Sequence, residues 1–307
     1  MNPDLLYVLG KGSLWQNNEL RYSLRSVEKN LRNFGKIWIV GEDPGFTRGV
    51  NIIKHPDEIG PHNADGNITR KIIRACKETG LSDVFIKMND DYIINKPMDA
   101  SEIHPMHKGD LNRHGMGYFS ANSWRRRLIR TRDVLVSKGL PCLHYDYHAP
   151  IPIYKDNFEA IVSQFDYEQD VGYTTRSIYG NVAYRKATPL SWEKVTLFKL
   201  YTLADIRRKT YMPLFVAYND QGLNRSLKFW LAEQFPEPSR YETGNVSCLF
   251  YELAQWHHSG RPWEAGSRIY ISHMRKKANM VRLFSGLETP KLKHKLDFKL
   301  NLMIKEL

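Results

Sequence analysis

The sequence predicts an α/β fold with a central, mainly parallel sheet, and three observations carry that expectation. Short runs of β-formers alternate with amphipathic helical stretches through the first ninety residues. Several of those runs end in glycine or in clusters of acids and amides: Gly10 and Gly12, Gly41-Glu42-Asp43, and Asn89-Asp90-Asp91. Ligands of such sheets gather beyond the carboxyl ends of the strands. Finally, 307 residues with 42% hydrophobic content suffice for a full core.

Taken in order, "DLLYVLG" (4–10) is a buried strand that runs into Gly10, Gly12 and Ser13. "NNELRYSLRSVEKNLRN" (17–33) sets Leu20, Leu24, Val27 and Leu31 at helical spacing behind an asparagine that can cap. "KIWIVG" (36–41) and "VNIIKH" (50–55) are the second and third strands. "NITRKIIRACKETG" (67–80) is a helix with Ile68, Ile72 and Cys76 on one face and Gly80 as its stop. "DVFIKM" (83–88) is the fourth strand. It halts at Asn89, Asp90 and Asp91 before the β-formers resume at Tyr92-Ile93-Ile94. Beyond Pro97, "NSWRRRLIRTRDVLVSKG" (122–139) is a helix with Trp124, Leu128 and Leu135 on one side and arginines over the rest. "HYDYHAPIPIY" (144–154) is a loop or edge segment, and "KDNFEAIVSQF" (155–165) a short helix. "GLNRSLKFWLAEQFP" (222–236) is a helix stopped at Pro236, and the tail from Pro262 reads as largely helical. The simplest division is a catalytic domain over 1–244 and a basic helical extension over 245–307 packed on it.

Forty-five Lys and Arg against thirty-three Asp and Glu leave a net charge of +12. Such a surplus attracts polyanions: nucleic acid, anionic glycan, acidic membrane or phosphorylated substrates. Residues 261–307 hold eleven Lys or Arg and four acids, and "WRRRLIRTR" (124–132) packs five arginines into nine positions. No apolar run approaches a membrane span and the N-terminus lacks a signal-peptide pattern, so a cytoplasmic location is expected. Cys76, Cys142 and Cys248 are scattered without metal-ligand spacing.

The strand-terminal pair Asp90 and Asp91 suits Mg²⁺ or Mn²⁺, hard ions that take oxygen ligands and commonly bind substrate phosphates too. Turn-forming carboxylates are the bland alternative. "HYDYHAP" spaces His144, Asp146 and His148 two residues apart, which in an extended segment puts all three on one face. That arrangement can build a general base or a mixed metal site, or merely hydrogen-bonded loop histidines. Arg176, in "TTRSIYGN", is a fork that could grip a diphosphate. Asn219 and Asp220, in "AYNDQG", repeat the Asn-Asp pattern of Asn89-Asp90 or simply cap the helix that follows. No P-loop, G-x-G-x-x-G after the first strand, H-E-x-x-H or G-x-S-x-G occurs, so ATPase, dehydrogenase, zinc-protease and α/β-hydrolase readings lack support.

Together these segments resemble the four blocks of the Stealth family of sugar-phosphate transferases. "DLLYVLGKGS" is similar to the opening block, and "ELRYSLRSVEKNLRNFGKIWIVGEDPG" with "KMNDDYII" to the second. "HYDYHAPIPIYKDNF" with "TTRSIYGN" resembles the third, and "AYNDQG" with "FPEPSRYE" the fourth. The opening block departs from the family in reading "YVLGKGS" where many members have "TWVDG". The resemblance implies a GT-A-like nucleotide-sugar-binding fold, a UDP-sugar donor and a divalent cation. On that basis Asp90 and Asp91 hold metal. His148, Asp146, Arg176 and Asp220 form the catalytic set. Gly10, Gly12, Ser13, Arg21, Arg25, Asn89, Arg176 and Asn219 contact the donor.

The expected function is transfer of a sugar or sugar-1-phosphate from a UDP-sugar to an acceptor hydroxyl, with a glycan as acceptor. The resemblance favours the phosphate-transferring form. Duplex DNA bearing a hydroxymethylated base is the alternative acceptor, with Arg125, Arg126 and Arg130 on its phosphates. A non-catalytic nucleic-acid binder is a third reading; it predicts no ordered acidic pocket.

Overall fold

The computed structural model describes residues 2–11, 13, 15–113 and 122–243. The amino-terminal half alternates as the sequence suggests. It runs β1 (Asp4–Leu9), α1 (Asn18–Asn30), β2 (Leu31–Arg32), β3 (Ile37–Gly41), β4 (Asn51–Lys54), α2 (Ala64–Cys76) and β5 (Val84–Met88). The chain then passes through the short strands β6 (Tyr92–Ile94), β7 (Met98–Asp99) and β8 (Met106–His107). Next come α3 (Ser123–Ser137), β9 (Ile151–Tyr154), α4 (Lys155–Val162) and α5 (Thr175–Ala183). The remainder is β10 (Thr188–Pro189), β11 (Lys194–Leu197), α6 (Leu203–Lys209), β12 (Phe215–Tyr218) and α7 (Arg225–Gln234).

The central sheet has the order β4-β3-β1-β5-β9. Its first four strands are parallel, and β9 closes the edge antiparallel to β5. All six residues of β1 are buried, as a middle strand covered on both faces requires. Pro152 is tolerated in β9 because an edge strand need not donate on its outer side. A second sheet, β11-β12-β6, joins β12 to β11 in parallel and to β6 antiparallel. Its own apolar cluster includes Trp15, Tyr22, Ile93, Leu197, Val216 and Trp230. The turn Asn89–Asp91 between β5 and β6 leads directly from the first sheet into the second.

Four sequence expectations are corrected. Asn17 does not cap α1 through its side chain, since it adopts a left-handed φ of 57°. Ser13 Oγ instead accepts from the backbone N–H groups of Trp15 and Asn17, at 3.1 and 2.8 Å. Helix α2 begins at Ala64 rather than 67, because Asn63 Oδ1 accepts from Gly66 N at 2.9 Å and caps it there. Asn219 and Asp220 do not cap α7. Asn224 does so, accepting from Leu227 N at 2.9 Å. Lastly, residues 144–150 are not extended. His148 has φ 50°, and Tyr147 N donates to Tyr145 O at 3.0 Å, which folds the segment back on itself.

The described residues belong to one compact unit. Gly12 and the stretch 245–307, read above as a basic helical extension, lie outside the described residues. Among the described residues no helix is long and apolar enough to cross a membrane.

Candidate active site

Strand pairing assembles the acidic site. Ala217 of β12 sits opposite Tyr92 of β6, so the turn that carries Asp91 meets Tyr218 and the residues just beyond it. A cavity of about 270 Å³ forms there. Gly10, Lys11 and Ser13 supply one wall from the carboxyl end of β1, Asp90 and Asp91 the floor between the sheets, and Asn219 and Asp220 the opposite wall. The backbone pieces are held tightly. Lys71, only 2% exposed, reaches from α2 to donate to Leu9 O and Asp57 Oδ1, both at 2.6 Å. At Gly222 a Cβ would stand 2.0 Å from Leu197 O, so only glycine lets this turn press against the end of β11.

The electrostatics of the pair are unusual for surface carboxylates. Burial, then the neighbouring Glu19, pushes Asp90 up to about 6. Burial, then Asp90 itself, pushes Asp91 up to about 8. Asp91 Oδ1 is buried and has no hydrogen-bond partner. Glu19, also raised by burial, accepts from Ser13 Oγ at 2.8 Å and lines the same cavity. Adjacent carboxylates held out of water repel each other when ionised, and a cation relieves that repulsion. Among the described residues no group of three or more His, Cys, Asp or Glu is gathered for a metal. A hard ion that takes one or two protein carboxylates and fills its remaining positions from phosphates and water is the kind this donor set fits.

Behind the pair lies a cationic cluster. Lys87 is 3% exposed within β5, and its Nζ donates to Asn89 Oδ1. Burial, then Arg176, lowers Lys87 to about 7, against the pull of Asp65, Asp91 and Asp146. Arg176, buried at the start of α5, donates to Ala149 O and to the Tyr92 hydroxyl, each at 2.8 Å. Its guanidinium also lies 5.2 Å from the centre of the Tyr92 ring. Asp146 accepts from Trp124 Nε1 at 3.0 Å. Burial opposes its charge, yet His148, Arg176, that hydrogen bond and Lys108 outweigh burial and hold the carboxyl below its ordinary value. His148 is lowered to about 4, by burial first, with Arg176, Lys194 and Lys108 adding to it against Asp146. The imidazole is therefore neutral near pH 7 and able to accept a proton. His144, 2% exposed, is packed within the core instead of joining these two on one face.

Several expected site residues are engaged elsewhere. Arg25 makes a two-pronged ion pair with Glu242, Nε to Oε1 and Nη2 to Oε2, both 2.9 Å. Arg21 reaches the same carboxylate at 3.2 Å and stacks 3.6 Å from the centre of the Phe46 ring. Neither lines the cavity. In α3, Arg130 pairs with Asp170 at 3.0 Å and lies against Tyr173, Arg126 is half-buried, and Arg125 is exposed. The neighbouring Arg127 is buried against Asp65 at 2.7 Å.

Glu19, Lys87, Lys108 and Lys194 went unrecognised in the sequence. Lys87 alone left a signal, a single cation inside the β-run "VFIKM". The others reach the site through tertiary packing.

No family model matches the chain. Over 202 residues it is 24% identical to an exopolysaccharide phosphotransferase of Streptomyces coelicolor, a match covering 59% of this chain and 20% of that protein. The chain thus spans about a fifth of the length of that curated relative. Among solved structures it is similar to the apo form of mouse xyloside xylosyltransferase 1, at 10% identity and TM-score 0.39, covering 73% of this chain and all of that one. A glycosyltransferase involved in glycosylation of the PBCV-1 major capsid follows at 13% identity and TM-score 0.40, covering 77% and 98%. A galactosyltransferase solved with donor and acceptor sugar analogues gives 12% identity and TM-score 0.38, again covering 77% and 98%. The curated relative is named for the chemistry that the resemblance to the Stealth family implies.

Proposed function

We propose that this chain is a cation-dependent nucleotide-sugar transferase that moves a sugar-1-phosphate from a UDP-sugar to a hydroxyl of a glycan. The observation that carries the reading is Asp91, which lines a cavity walled by the ends of three strands from two sheets and whose Oδ1 is buried without a hydrogen-bond partner. A divalent cation held by Asp90 and Asp91 would supply positive charge to the donor diphosphate. Gly10 and Ser13 would lie along the nucleotide, with Asn219 and Asp220 across from them. A Cβ at Gly10 would meet only Asp57 Oδ2, at 3.6 Å, so the backbone there is open to close approach.

His148 accepts the proton of the attacking hydroxyl, and the Asp146 carboxylate stabilises the imidazolium that forms. The hydroxyl oxygen bonds to the β-phosphorus, and the bond from that phosphorus to the bridging oxygen of the diphosphate breaks, leaving UMP. Arg176 and Lys87, buried behind the aspartates and outside the cavity lining, would supply positive charge toward the phosphoryl oxygens. Arg176 is fixed by Ala149 and Tyr92 before any substrate arrives, which limits the reorganisation the step requires. The name of the curated relative supports transfer of phosphate over transfer of the sugar alone.

The test is to incubate the protein with a panel of UDP-sugars, Mn²⁺ and candidate glycans and to identify the released nucleotide by mass spectrometry. UMP supports attack at phosphorus, whereas UDP moves the reading to attack at the anomeric carbon. Release of neither across the panel overturns it.

A further inference from the structure

Among the described residues nine large hydrophobic side chains are exposed, and five of them, Trp192, Phe198, Leu200, Tyr211 and Met212, crowd into one short stretch. Their exposures run from 54% at Phe198 to 75% at Leu200. Phe198, Leu200, Tyr211 and Met212 belong to the crossover from β11 through α6 to β12, and Trp192 stands just before β11. Register shows how they are arranged. Lys194 pairs with Phe215, so Trp192 and Met212 stand side by side where the two strands begin. Phe198 and Leu200 follow the other end of β11, and α6 runs between the two groups. Helix α6 buries Ile206 and turns Ala204, Arg207 and Arg208 outward. Apolar groups at both ends of an exposed basic helix face make a single amphipathic surface.

Its charge identifies the occupant. Lys199 and Lys209 lie over the Tyr201 ring, at 5.5 and 5.1 Å from its centre, and Lys96 lies 5.6 Å from that of Tyr211. Arg207 and Arg208 make only exposed ion pairs, with Glu233 and Asp205. Aromatic and aliphatic groups ringed by Lys and Arg are the composition of an interfacial surface that dips into headgroups while its cations meet anionic lipid. The surface is also tied to the candidate active site: Asn224 Nδ2 donates to Tyr201 O at 2.9 Å, and Leu197 O abuts Gly222, just beyond Asn219 and Asp220.

We propose that the segment 192–212 docks this protein on an anionic lipid surface, with the cavity between the two sheets held at the interface. This goes beyond the transferase reading, and its test uses no activity measurement.

The experiment is sedimentation of the full chain with vesicles of phosphatidylcholine alone and of phosphatidylcholine mixed equally with phosphatidylglycerol. The expected result is binding to the mixed vesicles alone. Leu200→Ser combined with Tyr211→Ser should weaken it about tenfold or more, since two apolar groups no longer enter the interface. Lys199→Glu combined with Lys209→Glu should weaken it further at low salt than at high salt. An unchanged unfolding temperature shows that each variant folds; if one does not, Trp192→Ser with Met212→Ser replaces it. Absence of binding by the parent chain overturns the proposal. So does full retention of binding by both double variants, which assigns the contact to the basic tail. A concentration-dependent dimer in light scattering that the serine variants abolish also overturns it, because a second copy then covers the patch.

Discussion

Asp90 and Asp91 turn the proposed chemistry into measurable pH behaviour. Both have folded pKa values above the ordinary 3.8, at about 6 and about 8. An acid whose pKa rises on folding favours the folded state while protonated, so its contribution is complete below about pH 4 and is lost as pH climbs through the folded value. In the cation-free protein the aspartates' contribution should therefore fall between about pH 4 and pH 8, read as the difference in thermal stability between the parent and Asp91→Asn. Mn²⁺ should restore it, and more at pH 8 than at pH 5. Asp91→Asn should flatten the pH dependence and remove the response to Mn²⁺ in the same scanning calorimetry; an undiminished Mn²⁺ response would contradict the assignment. At His148 the expectation is kinetic. His148→Ala should lower kcat far more than it changes donor affinity, because a base acts in the chemical step. Arg176→Ala should weaken donor binding as well, since its charge is in place before reaction. Equal kcat and KM in both variants and the parent would return these residues to a structural role. The position of Asp90 and Asp91 at a strand end was legible from sequence because a strand that stops at two carboxylates is a local pattern. The electrostatic influence of Asp146 and His148 on each other was legible only in part, since the chain takes a left-handed φ at His148 rather than strand alternation.

At the level of elements, the ion pair between α1 and the segment after α7 is the clearest brace. Arg25 and Glu242 lie 217 residues apart, and their side chains are 2% and 0% exposed. Glu242 also accepts from Ser239 N and Oγ, at 2.9 and 3.0 Å. Removing one partner leaves the other buried and uncompensated, so Glu242→Gln should cost about 3–5 kcal/mol in urea unfolding. Arg25→Met combined with Glu242→Leu should recover much of that loss. A single variant as stable as the parent would show that the pair is solvated in solution. The sequence placed Arg25 at the donor because it stands in the stretch similar to the second Stealth block. The structure gives it a carboxylate that sequence distance concealed. Helix α3 teaches the same lesson: its arginines read as a free basic face, but Arg127 and Arg130 are neutralised by Asp65 and Asp170 from other segments.

Across the whole molecule, the candidate site is the seam where two sheets meet. A cation at Asp90 and Asp91 should consequently slow amide exchange on both sides of it, in Val84–Ile94 and in Phe215–Asp220, when Mg²⁺ is added. Protection confined to residues 89–91 would mean that the sheets are not coupled through the site. The sequence by itself determined the amino-terminal alternation of strands and helices, the parallel sheet and the acidic strand end. Each of these is written in periodicity or in a stop signal a few residues long. The second sheet was decided by tertiary structure alone. Strands β11 and β12 are four residues each, too short for alternation to register, and β12 finds its partner in β6 more than a hundred residues earlier. That long-range pairing carries Asn219 and Asp220 to Asp91. It also leaves Leu200 and Tyr211 on the surface, because which apolar side chains a fold covers depends on the neighbours it brings to them.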